Sequence, residues 1–291
     1  MAAAAAAAAA AAQKSDGLRE RIPLLVSINV HELPNFVLLQ LRHIRDNLPV
    51  EHRILLNCNE EMLHALRATE EAAELCNPEP LTKRRYHGSL LQGIMRNLEL
   101  ALRRWDFDQV LVLSSRSWFR RPLTLRDLHE SYADPPGGPS DLRYTRDRGL
   151  HWVAECKNEA NGREDEAELD VAQMLAPGTA QTSAELVLAK FRQTRLAREL
   201  EASGHALLHA PHEGLLLECA ACEAALKMLS GPCGAEIYAF DAAVEEFALQ
   251  SIARSRGLRF AQLGDMGHPC DGDLMAATGD HLPPLTKTVR K

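Results

Sequence analysis

Residues 86–122 read YHGSLLQGIMRNLELALRRWDFDQVLVLSSRSWFRRP. Apolar side chains recur at Leu90, Leu91, Ile94, Leu98, Ala101, Leu102 and Trp105, the spacing of one buried helix face. A run from Asp108 to Leu113 follows almost at once, and its Val/Leu content suits a strand covered on both faces. The strand runs out into Ser114, Ser115, Arg116 and Ser117, and Pro122 ends the turn. In open α/β sheets, ligands sit beyond the carboxyl ends of the strands. A polar exit of this kind marks where a site is expected.

The alternation continues upstream. Residues 23–30 read as a buried strand, 31–35 as a turn, and 36–47 as a helix with apolar positions at Phe36, Leu39, Leu41 and Ile44. Residues 52–57 are a second strand, 60–75 a helix broken near Thr69, and 77–80 a loop. The order β-α-β-α-α-β predicts a parallel sheet with right-handed crossovers. Downstream, the pattern changes after Tyr132. Residues 134–139 are a breaker cluster, and the chain to Ala180 reads as a surface excursion with one short apolar run at 151–154. Helices are then expected over 183–200, 215–229 and 241–255, with Asp241 as a cap. Gly231 and Gly234 are read as the stop of the middle helix. Short strands are expected over 205–210, 237–240 and 258–262.

The 291 residues allow one large or two small domains. A hydrophobic content of 46% supports a substantial core. The net charge of −7 argues against a dedicated nucleic-acid binder. The 7 cysteines are odd in number and widely spread, so no small-domain disulfide framework is visible. Cys219 and Cys222 have redox or zinc spacing, yet no second ligand pair stands at finger spacing, and buried thiols are the simpler reading. The run from Ala2 to Ala12 is too short and too weakly apolar to span a bilayer. It also lacks the basic and leucine-rich regions of a signal peptide. It reads as a low-complexity tail. GxGxxG and Walker patterns are absent, and Ser114 and Ser115 lack the glycine frame of a nucleophile elbow.

Gly88 and Ser89 opening a helix, then Val110 through Ser115 to Ser117, Trp118 and Phe119, resemble a motif of the branching β-1,6-N-acetylglucosaminyltransferases and the peptide O-xylosyltransferases. That family often has Asp where this chain has Ser117. A second likeness is the run Glu245, Glu246, Phe247 and Ser251, similar to the family's catalytic helix start, with Val244 at the family proline. The likeness covers about residues 23–130 and, loosely, 204–263. It implies a tail over 1–20 and one α/β domain of GT-A type over 21–291. In that domain, a mostly parallel sheet flanked by helices forms the nucleotide-binding half over 21–132. A loop-rich excursion over 133–182 and an acceptor and catalytic half over 183–291 follow. The implied reaction is inverting, metal-independent transfer of N-acetylglucosamine or xylose. The donor is a UDP-sugar and the acceptor a hydroxyl on a glycan or protein. No cofactor beyond the donor and no nucleic-acid partner are implied. Membrane association and a Golgi location come through the family alone. The alternative is a GT-A-like protein that has lost catalysis and binds glycans or a partner. It is motivated by Ser117, Val244 and the missing family Asp after the second strand.

The resemblance assigns the base to Glu246, since one carboxylate must accept the acceptor's proton as it attacks the anomeric carbon. Glu245 and Glu246 equally suit the first turn of a helix, where acidic side chains complement the dipole. His31 after the first strand, Asn57 and Asn59 after the second, and Tyr86 before the long helix are expected at the nucleotide. Asn59 also suits a helix cap before Glu60. Lys287 and Arg290 match, by position, basic side chains that stabilise the diphosphate leaving group. An ordinary basic tail is the other reading. Ser115, Arg116 and Trp118 are expected on the sugar or acceptor side, with core packing open for Trp118 and Phe119. Asp106 and Asp108 spell Asp-x-Asp but stand ahead of the strand, and Asp271 and Asp273 lie in a turn. Both pairs read as solvated carboxylates, and no metal ligand is expected.

Overall fold

The computed structural model describes residues 19–30, 33–80, 88–115, 117–119, 122–130, 154–156, 184–205, 207–209, 212–240, 243–263 and 266–267. The elements begin with β1 (Glu20–Asn29), α1 (Pro34–Asn47), β2 (His52–Asn57), α2 (Glu60–Arg67), α3 (Gly88–Arg104) and β3 (Trp105–Ser114). They continue with β4 (Trp118–Phe119), α4 (Leu125–Glu130), β5 (Ala154–Cys156), α5 (Ala184–Arg192), α6 (Arg195–Ala202) and β6 (Leu207–His209). The last are β7 (Leu215–Glu218), α7 (Cys219–Leu229), α8 (Pro232–Tyr238), α9 (Glu245–Ser255), β8 (Phe260–Gln262) and β9 (Met266–Gly267).

A five-stranded sheet in the order β2-β1-β3-β7-β8 forms the centre. β1 lies parallel to both β2 and β3, so Asn29 stands level with Asn57 on one side and Ser114 on the other. β7 is reversed and pairs antiparallel with β3 and with β8. The fold is thus α/β with a mixed, mostly parallel sheet flanked by helices. Two small ribbons stand apart, β4 with β9 and β5 with β6.

Successive strand residues point to opposite faces, and here both faces are apolar. Ile22, Leu25, Leu55, Phe107, Val110, Val112, Leu215, Leu217 and Phe260 join one core, with α3 and α6 to α9. Leu24, Val26, Ile28, Ile54, Leu56, Leu111, Leu113, Leu216 and Ala261 join the other, with α1 and α2. Continuous apolar runs such as 110–113 follow from this double burial. Between the layers, the Asn97 side chain donates to Ser27 Oγ and to the Leu55 carbonyl, both at 3.1 Å, and accepts from Asn77 at 3.0 Å. It fastens α3 to β1 and β2 in a fully buried position.

The same double burial corrects one expectation. The helix read over 215–229 starts only at Cys219, because Leu215, Leu216 and Leu217 form β7 and alternate between the two cores. The stop and strand read over 231–240 are a second correction. Gly231, at φ 79°, turns the chain and Pro232 opens α8, which carries Ile237 into the core. Proline is tolerated there because the first helical N–H has no intrahelical partner anyway. Gly234 is fixed by close approach: a Cβ would lie 1.8 Å from the Leu229 carbonyl oxygen. The helix read over 183–200 is two helices, α5 and α6. Thr194 separates them, its hydroxyl accepting from the Ala197 N–H at 3.2 Å. The helix read over 60–75 with a break near Thr69 ends at Arg67 and resumes as a 3-10 turn over Ala73–Leu75, as expected. Asp241, the expected cap of α9, lies outside the described residues. Among the described residues, no helix is long and apolar enough to cross a membrane.

Candidate functional site

The carboxyl ends of β2, β1 and β3 set Asn57, Asn29 and Ser114 side by side. Backbone bonds knit this edge: Val30 N–H donates to the Asn57 carbonyl at 2.8 Å, and Ser115 N–H to that of Asn29 at 3.0 Å. The polar exit of β3 closes on itself. Ser117 N–H donates to the Ser114 carbonyl, and Ser114 N–H to Ser117 Oγ, both at 3.0 Å. Gln40 of α1 reaches in from one side, its Nε2 donating to the carbonyls of Ser114 at 2.7 Å and Ser117 at 2.9 Å.

Three amide oxygens at this edge are left over. Asn29 Oδ1, Asn57 Oδ1 and Gln40 Oε1 are buried and make no hydrogen bond among the described residues. A buried polar group without its partner costs about 1–3 kcal/mol, and native chains keep few of them. All three stand at the carboxyl ends of β1 and β2 or on the helix beside them.

The reversal of β7 brings a second set of side chains to the same edge. Gly214 N–H donates to the Val112 carbonyl at 2.9 Å, and Leu263 N–H to that of Gly214 at 2.8 Å. The turn carrying His212 and Glu213 therefore abuts the end of β3. His212 is buried, its Nδ1 3.4 Å from Glu213 Oε2 and 3.9 Å from Glu245 Oε1. Glu245 and Glu246 open α9. Their environments differ sharply: Glu245 is 2% exposed, whereas the Glu246 side chain is 29% exposed and lies 3.2 Å from His209 Nε2. Burial pushes the Glu245 carboxyl well above the usual carboxylate range, and the charges of Glu246 and Glu213 add to that push. Two adjacent carboxyls in environments this different are the arrangement from which acid and base roles are drawn.

The Glu245 shift has a measurable sign. The unfolded chain ionises this group near pH 4.3, while burial in the folded chain favours the protonated form to higher pH. Its contribution to stability is therefore full below that pH and is lost as pH rises toward the raised folded value. Glu245→Gln should relieve this loss. As pH rises above about 4.5, the melting temperature of the variant should gain steadily on that of the parent. Parallel curves would mean Glu245 titrates alike in both states.

Of the residues expected from sequence, Asn57, Ser115 and Glu246 come to this edge or the helix beside it. Ser115 is fully buried. Asn59 caps α2, its Oδ1 accepting from Met62 N–H at 2.8 Å, as the capping reading has it. Trp118 lies in β4 opposite Gly267, and Phe119 is buried core. His31, Tyr86, Arg116, Lys287 and Arg290 lie outside the described residues. Asp106 and Asp108 lie within β3, at its opposite, amino end, where Asp108 pairs with Arg21 at 3.1 Å. Cys219 and Cys222 are free thiols. Burial raises both, Cys219 to about 11, so neither behaves as a reactive thiolate. Among the described residues, no group of three metal-ligating side chains is placed to hold an ion. Sequence reasoning missed Asn29, Gln40, His209 and His212. Only Asn29, as the last residue of an apolar strand, carried a positional signal. No protein family's model matches the chain, and no curated protein matches it.

Proposed function

We propose that this chain is an inverting glycosyltransferase that moves N-acetylglucosamine or xylose from a UDP-sugar to a hydroxyl of a glycan or glycoprotein. One observation carries the reading. Beside a sheet edge whose buried amides have no partner among the described residues, α9 opens on a partly exposed carboxylate, Glu246, whose neighbour Glu245 is pushed by burial toward its protonated form. Glu246 takes the acceptor proton as the oxygen attacks the anomeric carbon. The new C–O bond forms on one face while the bond to the UDP oxygen breaks on the other, which inverts the centre. Only one base is needed, and the more Glu245 is held protonated by burial, the less it competes with or repels that base. Asn57, with His31 and Tyr86, serves the nucleotide. Lys287 and Arg290 meet the diphosphate through charge-assisted contacts in place of a cation. Arg116 and Trp118 serve the sugar and acceptor.

The test is a thermal-shift panel of nucleotides and nucleotide sugars with and without EDTA. UDP and UDP-sugars should raise the melting temperature equally in both. Stabilisation should grow with the logarithm of concentration, to about 2.7 kcal/mol at a hundredfold excess over Kd. Stabilisation only with manganese would overturn the metal-independent reading, and silence across the panel the donor assignment. Binding of UDP without transfer to any acceptor would select a non-catalytic glycan- or partner-binding role.

A further inference from the structure

His209 and Glu246 are 37 residues apart, yet three contacts bring them together. The Ser251 hydroxyl, on α9, accepts from the Leu208 N–H at 2.8 Å and faces the Leu208 carbonyl at 3.4 Å. It pins the strand next to His209 onto the helix that carries Glu246. The His209 ring packs on Phe247 at 4.8 Å between centroids, tilted by 31°. Its Nε2 then lies 3.2 Å from Glu246 Oε2. A carboxylate only accepts, so the imidazole N–H donates. The helix side is tied as well, because Gln250 Nε2 donates to the Glu246 carbonyl.

Resting on the transferase reading above, we propose that His209 is the positioning residue for the Glu246 base. It holds Oε2 and leaves Oε1 to receive the acceptor hydroxyl. Glutamate has three rotatable side-chain bonds, and an unheld carboxylate at the protein surface samples many directions. A base oriented by a third group is the recurring arrangement around activated nucleophiles. A misplacement of about 1 Å can cost around 100-fold in rate. The histidine does not touch the reacting atoms, and no proton needs to pass through it.

Two measurements test this. The first is independent of turnover: long-range 1H–15N spectra of the ring of His209. At neutral pH the parent should show Nε2 protonated, with its signal displaced in Glu246→Gln and unmoved in Glu245→Gln. The second is kinetic. His209→Ala should lower kcat about 10- to 100-fold with the donor KM within about twofold. His209→Gln, which returns an N–H near the same place, should recover most of the loss. A His209 signal indifferent to Glu246→Gln overturns the proposal whatever the activity. So does a His209→Ala enzyme at full rate, or a glutamine variant no better than alanine; in those cases the transferase reading stands. A parent that transfers from no UDP-sugar, with the His209–Glu246 contact intact, refutes the transferase reading and this role with it.

Discussion

Replacing Glu246 with glutamine should lower sugar transfer by about 10²–10⁴-fold, the scale of general acid–base catalysis. Folding and UDP binding should be retained. Glutamine has the shape of glutamate and still offers His209 an oxygen acceptor, so the 3.2 Å contact survives in kind. What it lacks is a lone pair basic enough to take the acceptor's proton. The position is 29% exposed, and the substitution opens no cavity. Glu245→Gln is the internal comparison. Burial pushes that carboxyl toward its neutral form, so a neutral amide of the same shape should cost far less transfer. Steady-state rates with a saturating UDP-sugar, alongside calorimetric UDP affinities, decide the matter. Reversed effects would move the base to Glu245. Loss in neither would reduce the pair to helix-start carboxylates that complement a dipole.

The first three strands and the helices between them were legible because each local signal agreed with the packing. The run 110–113 is apolar without alternation, which suits a strand with helices on both faces, and its residues do divide between two cores. The 3.6 period of α3 and the Asn59 cap of α2 were equally plain. β7 failed for the converse reason. Four apolar or helix-tolerant residues lead straight into a true helix, and a short buried strand cannot be told from a buried helical turn by periodicity. The signal that separates them is Gly214, whose φ of 84° ends the preceding turn. α8 failed because Ile237, Tyr238 and Phe240 suggest a strand by propensity, while Pro232 and core packing make a seven-residue helix. Tertiary context overrides a weak preference of that kind.

The site was half legible for a related reason. Strand ends announce themselves, so Asn57 and the serines were named as candidates from the pattern, and the resemblance supplied Glu246. His209 and His212 carry no spacing motif; Glu246 stands 37 residues from His209, and His212 meets its neighbour Glu213 as well as the distant Glu245. Only the reversal of β7, itself unread, folds that histidine turn onto the end of β3. Gln40 was hidden as a polar residue on an amphipathic helix, where solvent exposure is the ordinary expectation; it is fully buried.

Phe247→Ala should be the most damaging single change to the fold near the site. Phe247 is fully buried in the core beneath α9, 5.5 Å between centroids from Phe191 and 4.8 Å from His209. Truncating a buried phenylalanine costs about 3–5 kcal/mol, from lost transfer energy plus the cavity. Native stability is only about 5–15 kcal/mol, so the melting temperature should drop by roughly 10 °C. Phe247→Leu keeps much of the volume and should lose less than half as much. Destabilisation alone would not separate this residue from any other core aromatic. Phe107 is the control: it is buried in the same core but lies toward the amino end of β3, level with Ile22 and away from the site. Phe107→Ala should cost a similar stability and leave transfer per folded molecule near the parent's. Phe247→Ala removes the surface on which the His209 ring rests. It should also lower kcat per folded molecule, measured well below both melting temperatures. Equal kcat in the two variants would mean the ring contact holds the core together but does nothing for the base.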